Sequence, residues 1–169
     1  DGRLEQFGVA IGAAEKLLEL GAVIEQTDDL TYVAVREDGV SNSMGAHVRH
    51  TIDHVAAMID PATPGCVDYD HRRRGSEVER SRTAARAELQ RLTRQLRWLS
   101  DDALMEPVKL AAVVDRTGQR VHAWSTMARE LVFVLSHTIH HHAIIALLLA
   151  STGRATPERF GLAPSTPGR

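Results

Sequence analysis

The sequence predicts an all-α fold: a four-helix, up-down-down-up bundle with a small β-hairpin before the last helix. Two observations carry this expectation. Apolar residues recur at helical spacing in four long segments, and the last of these sets four histidines inside a long apolar run, Ser136-His137-Thr138-Ile139-His140-His141-His142-Ala143-Ile144-Ile145. With 169 residues, 43% of them hydrophobic, the chain reads as one domain spanning 1–169 that can bury a core without staples.

The first helix is expected over about 4–26, with Leu4, Phe7, Ile11, Leu17, Leu18, Ala22 and Ile24 near a 3.6-residue period. Thr27–Tyr32 reads as a turn followed by a short helix or extended piece, and Arg36-Glu37-Asp38-Gly39 as a loop. Ser41, Asn42 or Ser43 then offers an N-cap for a second helix over about 43–60, with Met44, Val48, Ile52, Val55 and Ile59 on one stripe. Pro61 and Pro64-Gly65 end it, and residues 61–75 read as a polar crossover loop whose His71-Arg72-Arg73-Arg74 run is solvated. A third helix is expected over about 76–99, with Val78, Ala85, Leu89, Leu92 and Leu96 inward. Val108–Val114 and Gln119–Trp124 flank Asp115-Arg116-Thr117-Gly118 as a hairpin. The fourth helix, capped by Ser125 or Thr126, runs over about 125–151 and stops at Gly153; in the tail 152–169, Phe160 and Leu162 are expected to pin the chain to the bundle.

Composition excludes several function classes. A net charge of −2 gives no reason to expect nucleic acid as a partner. No secretory signal is evident, and the most apolar stretch, 143–150, falls far short of the ~20 residues a bilayer demands, so no membrane span and a cytoplasmic location are expected. The single cysteine, Cys66, excludes an intrachain disulfide and reads as a bystander.

The chemistry lies in the histidines. Seven of the nine occur in the second and fourth helices. His137 and His141 stand one turn apart on one face and can grip one metal ion, whereas His142 points well away. A third ligand from the second helix would complete a set of three, leaving coordination positions open for water or substrate. By helical angle His50 sits furthest from the aliphatic stripe, so spacing alone favours His47 or His54. Glu130, seven residues before His137, projects to the same side as a candidate catalytic carboxylate; the alternative is an ordinary salt bridge with an arginine. Asp53 projects to the polar side and is expected to be solvated.

Ser43-Met44-Gly45-Ala46-His47-Val48-Arg49-His50, followed by Ser136-His137-x-x-His140-His141 in the fourth helix, resembles the DinB/YfiT superfamily of metal-binding four-helix bundles. The resemblance implies metal ligands at His50, His137 and His141, with His54 and His47 in reserve. It implies one divalent ion, zinc, nickel, iron or manganese, and either transfer of a low-molecular-weight thiol to an electrophile or hydrolysis. The partners implied are a small-molecule substrate and a second copy in a homodimer. A non-catalytic, metal-stabilised binding module is the competing reading. Where many superfamily members continue with Arg-Gly-Gln, this chain has His142-Ala143-Ile144, a departure that bears on the substrate pocket.

Overall fold

The computed structural model describes residues 3–35, 42–70 and 73–167. The Arg36–Gly39 loop, the candidate cap Ser41, His71 and Arg72 lie outside these residues, as do the side chains of Leu4 and Phe7. The described chain runs α1 (Arg3–Glu25), α2 (Asp29–Val33), α3 (Met44–Ile59), β1 (Cys66–Asp68), a 3₁₀ turn (Glu77–Glu79), α4 (Arg82–Arg97), α5 (Asp101–Met105), β2 (Pro107–Val113), β3 (Arg120–Thr126) and α6 (Met127–Ala150).

Short polar side chains set the helix starts. Asp28, Ser43, Ser81, Ser100 and Thr126 each accept a hydrogen bond from the backbone N–H three residues on, satisfying a donor that has no partner inside the helix. α6 ends at Ser151, and Gly153 follows at φ 75°.

The helices pack pairwise, α1 against α4 and α6, and α3 against the same two. Their shared core takes Leu17, Leu20 and Ile24 from α1, Val48, Ile52 and Val55 from α3, Leu89, Leu92 and Leu96 from α4, and Leu131, Val134 and Ile145 from α6. In α1 the buried stripe includes Ala10, Ala13 and Ala14, while Leu18 is exposed. Small residues let neighbouring helices approach closely, and a stripe built on alanine is faint to a hydrophobicity pattern.

The expected all-α bundle is corrected by the sheet. Three strands in the order β1-β2-β3 make a mixed sheet, with β2 and β3 antiparallel and β1 parallel to β2. The hairpin was legible; its turn closes on the Asp115 carboxylate, which accepts from the Thr117 and Gln119 amides, with Gly118 at φ 85°. β1 lies in the segment read as a polar loop. It is three residues long, too short for alternation to register, and is held by pairing Cys66, Val67 and Asp68 with Lys109, Leu110 and Ala111, with Val67 buried beneath. The expected third helix also divides, into the 3₁₀ turn and α4, because Ser81 caps a new start.

α6 is a single 24-residue helix with a mean hydropathy of 1.6 in its most apolar window, long and apolar enough by length and composition to cross a membrane. The 143–150 stretch alone understated it. Here α6 packs on α1 and α3 and carries a fully buried Glu130 and four histidines.

Candidate metal centre

α3 and α6 meet along a seam of imidazoles. His50, His54 and His137 each offer a ligand nitrogen, and the three nitrogens lie within 4.8 Å of one another. His50 Nε2 and His137 Nε2 stand 3.0 Å apart across the helix interface. Two nitrogens bound to one tetrahedral ion at 2.0–2.1 Å would be about 3.3 Å apart, so this pair is already near the separation a metal imposes.

His54 is oriented by its own helix. Its Nδ1 lies 3.0 Å from the carbonyl oxygen of His50. A carbonyl only accepts, so Nδ1 carries the proton and Nε2 presents its lone pair. The ring is held between two flat neighbours, Tyr69 at 5.1 Å with 10° between planes and His137 at 4.2 Å with 27°. Phe133, one turn before His137, stacks on that ring at 5.8 Å.

His141 and His47 extend the seam, with their Nδ1 atoms 3.0 Å apart. The His141 ring also lies 4.6 Å from those of His50 and His137. Burial, followed by the neighbouring His137, His50, His47 and His140, pulls the pKa of His141 down to about 2. Burial, with His140 and Arg49, lowers that of His47. Both rings are thereby kept neutral, the form in which imidazole binds metal.

Glu130 is fully buried, and its carboxylate is engaged. Ser125 Oγ and Arg129 donate to Oε1, both at 2.7 Å, and Tyr69 OH donates to Oε2 at 2.8 Å. Burial on its own would raise its pKa; the donors Ser125, Tyr69 and Arg129 together outweigh it and hold the carboxyl below the usual range. Glu130 therefore reaches the seam through Tyr69, whose ring lies on His54. Tyr69 follows β1 in the crossover and gave no signal in sequence, since nothing in a polar loop marks which aromatic folds back.

His142 leaves the seam. It is fully buried and stacks on Phe160 of the tail at 4.4 Å. Leu162, expected to share the pinning role, is exposed. Asp53, expected to be solvated, is buried and tied to Arg49 at 3.1 Å and Arg73 at 2.8 Å.

Of the His50, His137 and His141 that the resemblance implies and the His47 and His54 that helical angle favours, His50, His54 and His137 converge within 4.8 Å, while His141 and His47 stand beside that group. The donor set is made of imidazole nitrogen alone.

No family model matches the chain, and no solved structure does. Among curated proteins, FK506-binding protein 5 of Rhizopus delemar is 33% identical over 101 residues, which is 59% of this chain and 26% of that protein. The chain spans about a quarter of the length of the relative it matches. This comparison overturns the expected function: the similar protein bears the name of an FK506-binding protein, and no DinB-type thiol transferase or hydrolase stands behind the reading drawn from the resemblance.

Proposed function

We propose that this protein binds one divalent transition-metal ion in the seam between α3 and α6, with His50, His54 and His137 as ligands and His141 and His47 beside them. The observation that carries the proposal is the convergence of three ligand nitrogens within 4.8 Å from two helices far apart in the chain. The His54 tautomer, set by the His50 carbonyl, supports it. An all-imidazole set suits zinc, nickel, iron or copper and disfavours manganese, which prefers oxygen donors. Zinc fits best among them, because it accepts three nitrogens and one further ligand without demanding a geometry of its own. Glu130 is a positioning residue in this reading, steadying Tyr69 against His54, and Phe133 does the same for His137.

The test is metal content per chain by plasma mass spectrometry on tag-free protein, with titration of zinc and nickel into the chelated protein. About one equivalent is expected, lost in His54→Leu and His137→Leu and kept in His142→Phe. Loss in His141→Leu with retention in His54→Leu would replace the ligand set, and no retained metal in the parent protein would overturn the proposal.

A further inference from the structure

On a different face of α3 from the histidines lies an open cleft of about 670 Å³. Its floor is one face of the sheet. Strand register sets Cys66, Lys109 and Trp124 side by side as one row, and Asp68, Ala111 and His122 as the next. Its far wall is Asp53, Ala56, Ala57 and Asp60 of α3 with Arg73 and Arg91. The volume lies in the range that holds a small organic ligand, ~300–1,000 Å³.

The charges around it are not equivalent. Arg73 pairs with Asp53 at 2.8 Å, Arg91 with Asp60 at 2.5 Å and Arg120 with Asp68 at 2.7 Å. Glu88 ties Arg73 and Arg91 from behind. These arginines are committed to carboxylates and would have to surrender them to hold a ligand. Lys109 has no ion-pair partner among the described residues, and it stands on the floor of the cleft. Among the described residues the lining therefore leaves one free positive charge, Lys109. Beside it Trp124 is 76% exposed, a large aromatic ring on a strand surface with one side open. Exposed tryptophan is a recurrent contact for flat ligands, because it offers area at low entropic cost.

We propose that this cleft binds a small aromatic monoanion of the aryl carboxylate class, its carboxylate on Lys109 and its ring against Trp124. With the carboxylates and arginines paired off, one free cation among the described lining residues matches a single negative charge, and a more highly charged ligand such as a bare phosphate would leave charge without a partner. The proposal is independent of the metal centre.

The experiment is a titration followed by Trp124 fluorescence in a Trp98→Phe background, Trp98 being the second tryptophan and 87% exposed. The probes are benzoate, the neutral benzamide and inorganic phosphate. Saturable change with benzoate is expected, about tenfold tighter than with benzamide and with phosphate. Lys109→Gln should weaken benzoate binding about tenfold and Lys109→Arg should restore it. Calorimetry with Trp124→Leu should show binding lost, with circular dichroism confirming that each variant is folded. Equal binding of benzoate and benzamide, tighter binding of phosphate, unchanged affinity in folded Lys109→Gln, or no saturable signal up to roughly 20 mM would each overturn the proposal.

Discussion

Replacing His142 with phenylalanine should make the protein's stability less dependent on pH. Both ring nitrogens of His142 are buried without a hydrogen-bond partner among the described residues. Burial, with Lys16 as a second contribution, pulls its pKa down to about 3. In the unfolded chain the same imidazole takes its proton near pH 6.5. Between these values the unfolded state binds a proton that the native state refuses, so stability is present above pH 6.5 and is lost as pH falls toward 3. The slope is about 1.4 kcal/mol per pH unit, which amounts to about 2 kcal/mol between pH 7 and pH 5. That is a sizeable part of the 5–15 kcal/mol typical of a domain and corresponds to roughly 1 M in the urea midpoint. Phenylalanine keeps a flat ring against Phe160 and removes two partnerless nitrogens, so at pH 7 the variant should equal or exceed the parent. Urea unfolding at pH 7, 6, 5 and 4 with chelator present checks this, because the seam histidines titrate equally in both proteins and cancel in the difference. Parallel loss of stability in the two proteins would refute the assignment of that slope to His142.

Other outcomes follow from the same contacts. Tyr69→Phe keeps the ring on His54 and loses only the hydrogen bond to Glu130, whereas Tyr69→Leu loses both; zinc affinity measured with a competing chelator should fall about tenfold in the first and toward a hundredfold in the second. Bound metal should be released on acidification from pH 7.5 to 5, read by equilibrium dialysis, because protons compete with the ion for imidazole nitrogen. Gly161→Ala should destabilise the fold by about 2–4 kcal/mol in chemical unfolding, since its φ is 81° and an added Cβ would stand 2.6 Å from Ala143 Cα, a backbone atom of α6 that has nowhere to move.

The sequence by itself marked the long helical segments and the histidines they carry. Periodicity marked α3 and α6, the short polar residues at 41–43 and 125–126 bracketed their starts, which in the structure are capped by Ser43 and Thr126, and i,i+4 spacing separated His137 and His141 from His142. These features are local: a helix face, a cap and a hairpin turn depend on residues a few positions apart, and the chain spells them directly. What the tertiary structure decided depends on partners remote in sequence. Helical angle and family likeness disagreed over His50 and His54, and only the crossing of α3 with α6 brings both to His137. β1 exists because β2 lies beside it, and a three-residue strand has no pattern of its own. Tyr69 reaches His54 and Arg73 pairs with a buried Asp53 through chain crossings that no spacing encodes. The function implied by family likeness was the furthest from local physics, and it is the part that comparison with known proteins overturned.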